Sequence, residues 1–334
     1  MNYIEFPLNL PISSSELSLT LISMEDWCII ATTGQDSINY MQGQITADIN
    51  QLHINNYYYS AHCNAQGKML TNLLLFVYQG QLCWIIRRSV INVHITALKK
   101  YAIFSDINII ELDNTIMLGI AGSQVKSMLK KIFPILPNIN YPVVENIINN
   151  IILIYFPLPR DRFILITDVS RGTLLHYQLY IQNNFLKFNN SKQWLALDIE
   201  AGYPIIDNDN SSKFFPQDAN LHFLKAISWN KGCYIGQEVI SRINYRGINK
   251  RGLYILIGYS LQLPSSNSII EMQYNLNIWK ICGKVLASCC MKNGQIWIQG
   301  IINNNLPLNT ILRIPGNTEI IISKYFSFCK SSEL

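Results

Sequence analysis

The segment Lys231–Arg251, KGCYIGQEVISRINYRGINKR, gathers several residue types that can do chemistry. Gly232 and Gly236 permit a tight turn, and the run from Gln237 through Glu238 to Tyr245 has the composition of a helix, so Cys233 is expected just before a helix N-terminus. The helix dipole and the neighbouring Lys231 would both favour thiolate over thiol there. Cys233 is thus the candidate reactive thiol, set against the alternative of a small buried residue in a glycine-shaped turn. No histidine stands beside it in sequence to complete a dyad, since His222 lies eleven residues upstream.

Arg242, Arg246, Lys250 and Arg251 follow within the same segment. On a helix, 242 and 246 share a face at i, i+4 and would present two guanidinium forks to a phosphate or carboxylate, with Tyr245 and Tyr254 as stacking surface. A solvated junction between domains explains the same charges. A second informative stretch, Gln193–Pro204, reads as a helix with Gly202 as its left-handed cap and Pro204 just beyond. Glu200 falls in its last turn, where the dipole disfavours a carboxylate, so a ligand or cation is expected to hold it. Trp194 and Glu200 are about 120° apart on an ideal helix, and both can face one ligand only if that last turn loosens. Taken alone, Trp194 and Trp27, the latter in the sequence MEDW, read as core.

The elements that must position these residues are legible in outline. Asp36 or Ser37 can cap a helix running through Met41. Tyr57–Cys63, Lys68–Tyr78 and Gln81–Arg87 then form an antiparallel meander turning at Gln66-Gly67 and Gln79-Gly80. Ser89–Tyr101 and Ser123–Phe133 read as helices, and Thr115–Ile120, Ile151–Phe156 and Phe163–Thr167 as strands. From Leu253 onward, short β-rich runs at Leu253–Tyr259, Ile269–Tyr274, Trp279–Ala287, Gln295–Ile301 and Ile311–Ile322 are divided by Pro, Gly and Asn turns. They predict a small β-barrel or sandwich after a boundary near residue 250. The fold class is α+β, in domains of residues 1–250 and 251–330.

Composition bounds the function. With 334 residues, 49% apolar and 14% charged, the chain can bury a full core and is not disordered, and a net charge of +5 permits an anionic partner without requiring one. Eight cysteines include no C-x-x-C pair, so no metal site is expected, and free thiols suit a reducing cytoplasm. The N-terminal residues lack a secretory pattern, no apolar run is long enough for a membrane helix, and no glycine-rich nucleotide loop is present.

KGCYIGQE, followed by an Arg and then RG-x-x-KR, resembles the signature of the folate-binding, tRNA-modifying proteins of the glycine-cleavage aminomethyltransferase (T-protein) superfamily. YMQGQITADI at 40–49, AHCNAQGKM at 61–69, RRSV with LKKYAIFS at 87–105, and QWLALDIEAGYPIID at 193–207 are similar to the same family, so the likeness spans about residues 20–255. It implies an antiparallel-sheet and helix folate-binding domain, partly ferredoxin-like, joined to the C-terminal barrel. It implies that Trp27 and Trp194 stack on tetrahydrofolate or a derivative, that Glu200 hydrogen-bonds the pterin, and that Lys231, Cys233, Gly236, Gln237 and Glu238 are motif residues. It further implies support of tRNA thiomethylation, maintenance of the iron–sulfur enzymes that perform it, and a link to control of replication initiation. The partners would be folate, and tRNA or those iron–sulfur enzymes. One departure stands out: the segment Phe76–Ile86 has no carboxylate where the T-protein carries an aspartate, so aminomethyl transfer is not expected and folate would serve as ligand or electrophile trap. A folate-dependent C1 transferase or demethylase, and a non-catalytic scaffold for RNA or iron–sulfur partners, are the alternatives.

Overall fold

The structure is a computed structural model describing residues 6–146, 148, 150–169, 186–247, 249–260, 262–307, 310–316 and 320–327. Period-two patterning builds a five-stranded antiparallel sheet in the order β3–β4–β5–β2–β6. Its strands are β2 (Trp27–Thr33), β3 (Tyr58–Cys63), β4 (Met69–Tyr78), β5 (Gln81–Arg87) and β6 (Asn108–Glu111). The β4–β5 hairpin turns at Gln79 and Gly80, whose φ angles of 50° and 72° are the left-handed pair that a two-residue hairpin of this twist demands. Helices α1 (Ser37–Gln42) and α2 (Ile91–Tyr101) belong to the same region.

A second sheet runs β11–β1–β7–β10–β9–β8. It comprises β1 (Thr20–Ser23), β7 (Thr115–Ala121), β8 (Val143–Asn146), β9 (Ile151–Phe156), β10 (Arg162–Asp168) and β11 (Lys187–Asn189), with α3 (Val125–Ile132) packed into its core. The β1–β11 pair is parallel and the sheet's other pairs are antiparallel. Helix α4 (Ser191–Ala201) lies among both sheets and the C-terminal strands, sharing one apolar cluster with Ile29, Phe76, Ile154, Ile164 and Trp297. Its residues from Trp194 to Ile199 are all buried, as expected of a helix with no solvent face. Asn190 caps its start by accepting from Lys192 N at 3.1 Å, and Gly202, at φ 75°, supplies the expected left-handed end.

After α5 (Gln237–Tyr245) the chain forms a closed barrel, β12–β15–β14–β13–β16–β17. Its strands are β12 (Arg251–Tyr259), β13 (Ile269–Asn275), β14 (Ile278–Cys290), β15 (Gln295–Asn303), β16 (Leu312–Ile314) and β17 (Ile320–Ser327). The run Ile311–Ile322, expected as one β segment, is two antiparallel strands, because Pro315 and Gly316 break it and Ile314 pairs back onto Ile320. Mixed sheets with helices followed by a closed barrel are the α+β architecture expected; position 330, the far end of the expected second domain, lies outside the described residues. Among the described residues no helix is long and apolar enough to cross a membrane, and no cluster of three metal-ligating side chains occurs.

Candidate functional site

Trp27 opens β2 and Trp194 sits near the start of α4, and the fold brings both indoles to one narrow cleft, each side chain being almost wholly buried. Trp194 meets Phe156 edge-on at 5.9 Å and carries the Arg162 guanidinium 4.5 Å above its ring, while Arg87 lies 4.3 Å over Trp27. The close seat of Trp194 depends on Gly119 in β7, where a Cβ would come within 2.5 Å of the indole Cε3.

The same cleft is lined by a charged pair that sequence reading did not single out. Arg162 Nη1 lies 2.7 Å from Asp198 Oδ1, with side chains 3% and 4% exposed. Asp198 shares the Trp194 face of α4 because it lies four residues on, and burial pushes its carboxyl up against the opposing pull of Arg162. Arg162 is steadied by Nε donating to Leu158 O at 2.8 Å. Arg87 is held by Asp207, with Nε–Oδ1 at 2.9 Å and Nη2–Oδ2 at 3.3 Å. Among the described residues its Nη1 is buried without a hydrogen-bond partner, the Asp26 carboxylate being 3.8 Å away. Asn72, Tyr59 and Tyr203 complete the polar lining, and burial pushes both phenols well up. Tyr59 also lines a larger groove with Asp48, Tyr57, Tyr58 and Lys225, so cleft and groove share a wall.

Glu200 is placed differently from the expectation that it binds a pterin beside Trp194. Its Oε2 accepts from Ser14 N at 3.0 Å and its Oε1 from Ser14 Oγ at 2.7 Å, which ties the N-terminal segment to the last turn of α4. The helix does not loosen enough to swing Glu200 into the cleft, and Ser14 supplies the donors that the dipole argument assigned to a ligand.

The motif loop lies on other elements. Cys233 is exposed, four residues before α5. The Lys231 ammonium, expected to act beside that thiol, is instead engaged by Gln42 O, Ile45 O and Ala47 O at 2.7, 2.8 and 2.6 Å. Burial pushes Lys231 down to about 8, against the pull of Asp48. Gly236 adopts φ 83°, and a Cβ there would lie 2.6 Å from Asn64 O and 2.9 Å from Gly67 Cα. The AHCNAQGKM turn and the KGCYIGQE turn are therefore pressed together, backbone to backbone. Gly236→Ala is expected to cost about 2–5 kcal/mol, the sum of a left-handed strain and an overpacking cost. Gly80→Ala, at φ 72° with open space around it, should cost about 1 kcal/mol. Urea unfolding of both variants measures the difference, and equal costs would refute the close-approach argument.

Gln237 is half-buried and Glu238 exposed in the first turn of α5. Arg242, Arg246, Lys250 and Arg251 are all exposed, which the anion-facing surface and the solvated junction both require, with Tyr245 beside them at 80% exposure. Tyr254, expected to add stacking surface there, is buried inside the barrel because inward positions of β12 fill its core.

The architecture matches a fold of known structure. It superimposes on glycine cleavage system aminomethyltransferase T from Bartonella henselae with a TM-score of 0.75, covering 95% of this chain and 89% of that one at 16% identity. The fold is thus of the aminomethyltransferase T class, ending in its own barrel. Residues 249–317 match the model of the YgfZ β-barrel domain. The tRNA-modifying protein YgfZ of Yersinia enterocolitica serotype O:8 is 45% identical over 313 residues, 93% of each chain, and that of Yersinia pseudotuberculosis serotype O:1b is 44% identical over 305 residues, 91% and 90% of the two chains. The chain belongs to the YgfZ family.

Proposed function

We propose that the chain binds tetrahydrofolate or a derivative in the Trp27–Trp194 cleft and thereby supports tRNA modification, the thiomethylation of tRNA in particular, as the names of its relatives and the resemblance to folate-binding proteins suggest. The observation that carries the reading is the cleft's polar set: two indoles, one buried carboxylate and the buried Arg87 Nη1, which has no hydrogen-bond partner among the described residues. These fit a flat, amide-edged heterocycle, which offers N–H groups to a carboxylate and a carbonyl to a guanidinium. When bound, the folate supplies amine nitrogens able to carry or trap a one-carbon unit. Trp27 and Trp194 would stack and exclude water, Asp198 would accept from the heterocycle's N–H groups, and Arg87 would donate to its carbonyl edge.

Cys233 with the Arg242–Arg251 surface would meet the macromolecular partner, a tRNA or a tRNA-modifying iron–sulfur enzyme whose maintenance depends on this protein, in the cytoplasm. A tie to replication initiation would follow indirectly from that maintenance. A C1 transferase is the second reading, and one observation favours it: the carboxylate missing from the Phe76–Ile86 hairpin has a counterpart in Asp198, brought into the cleft by a different element.

Tetrahydrofolate titrated against intrinsic tryptophan fluorescence, with equilibrium dialysis alongside, tests the assignment. The wild type should show saturable binding, and Arg87→Met should bind about 10–100-fold more weakly, the worth of one hydrogen bond to a charged group. No saturable response in the wild type would remove the folate assignment.

A further inference from the structure

Lys231 offers three N–H bonds and three backbone carbonyls converge on it: Gln42 O at 2.7 Å, Ile45 O at 2.8 Å and Ala47 O at 2.6 Å. Gln42 ends α1, where the last carbonyls have no partner within the helix, so the cage is built from acceptors that need a donor from elsewhere. The same two segments are stitched on either side of Lys231. Ile235 N donates to Gly43 O at 3.1 Å, Ser228 N to Thr46 O at 2.9 Å, and Thr46 Oγ1 to Ala226 O at 2.6 Å. Cys233 therefore stands between two fastened points, Lys231 and Ile235, on a loop whose own residues are exposed at 232 and 233.

We infer that Lys231 is a positioning residue: its ammonium latches the Cys233 loop onto the Gln42–Ala47 segment through a carbonyl cage selective for a primary ammonium. The count and the geometry both point to this head group. A guanidinium is a planar fork of five donors and cannot converge on three oxygens around one nitrogen, and a thioether or methyl leaves all three acceptors unpaired. The latch also shapes the larger groove, because Ala47 and Asp48 on one side and Ser228 on the other are among its lining. As it bears on Cys233, the inference rests on the reading of that residue as a reactive thiol; as it bears on the loop, it does not.

Two readouts on the full-length protein keep the readings apart. The first is the rate of Cys233 alkylation by iodoacetamide at fixed pH, with the site assigned by mass spectrometry. The second is amide hydrogen exchange over 226–236. Lys231→Met should exchange these amides at least tenfold faster, and Cys233 should alkylate at the rate of an unstructured cysteine peptide. In Lys231→Ala, added n-propylammonium should restore the slow exchange and the wild-type alkylation rate, whereas guanidinium or sodium at the same concentration should not. Should Lys231→Met fail to fold, Lys231→Gln takes its place, with intermediate exchange expected because its amide offers two donors on an uncharged head. Unchanged exchange in these variants, or rescue by sodium equal to that by propylammonium, overturns the latch. A wild-type Cys233 no more reactive than the peptide, with exchange and rescue as expected, instead removes the reactive-thiol reading and leaves the latch standing.

Discussion

Asp198→Ala is expected to cost about 3–5 kcal/mol of folding stability, because it leaves the Arg162 guanidinium buried over an indole with no counter-charge. The side chain of Arg162 is only 3% exposed, so water entering from the cleft replaces the lost carboxylate's charge poorly. Arg162→Met should cost less, and the asymmetry has a physical cause. A guanidinium keeps its proton under all these conditions, whereas burial already raises Asp198, and with Arg162 gone the carboxyl can take up a proton and become neutral. The deficit of Arg162→Met relative to the wild type should therefore shrink between pH 7 and pH 5, while that of Asp198→Ala should not. The double variant Arg162→Met/Asp198→Leu exchanges the whole pair for apolar volume and should recover most of the stability, since a buried ion pair seldom outperforms good packing. It should also lose tetrahydrofolate binding. Urea unfolding of the three variants with dialysis of the double one decides the matter, and a double variant that still binds would show that the pair serves the fold alone.

The parts of the fold legible in the sequence are those governed by contacts close along the chain. The Gln79-Gly80 hairpin, the strands on either side of it and the Gly202 end of α4 follow from local turn chemistry and period, and they stand where that chemistry puts them. The cleft was only half legible. Asp198 could have been found by asking which carboxylate shares the Trp194 face at i+4. Arg162 could not, because no local pattern ties the first residue of β10 to the middle of α4. Glu200 shows the opposite case: a carboxylate at the wrong end of a helix dipole rightly demanded a partner, and the structure supplies Ser14, 186 residues away in sequence. Lys231 is similar, since its three acceptors lie more than 180 residues upstream and are backbone atoms, which leave no mark on residue type. What sequence motifs could supply was the list of residues; what each one touches came from the tertiary pairing of distant segments.

Acid should weaken this protein through two histidines that take no part in the cleft. Trp84 Nε1 donates to His94 Nε2 at 2.9 Å, which places the His94 proton on Nδ1. That proton points at His62 Nδ1, also 2.9 Å away, so His62 is the acceptor and carries its own proton on Nε2. A second proton on either ring would set N–H against N–H, and both rings are buried. Burial holds His62 down to about 4 and His94 well below its ordinary value. Below about pH 6.5 the unfolded chain binds protons that these two histidines refuse in the folded chain, so their contribution to stability falls as pH falls, by about 1.4 kcal/mol per unit for each histidine once the unfolded state is fully protonated. Together they contribute a slope of about 2.7 kcal/mol per pH unit down to about pH 4, where His62 begins to titrate in the folded state. His62→Phe/His94→Phe should be less stable at pH 7, because Trp84 Nε1 loses its acceptor, yet its stability should decline more gently with acid. Urea midpoints at pH 7, 6, 5 and 4.5 test this, and parallel curves for variant and wild type would refute it. The consequence reaches the functional elements, because β3 carries both His62 and the cleft residue Tyr59, and His62 bridges to Ile45, whose carbonyl belongs to the Lys231 cage. Expelling the protonated pair would pull on both at once, so the proposed tetrahydrofolate binding and the expected slow exchange of 226–236 should fail over the same pH range in which the histidines are forced to charge.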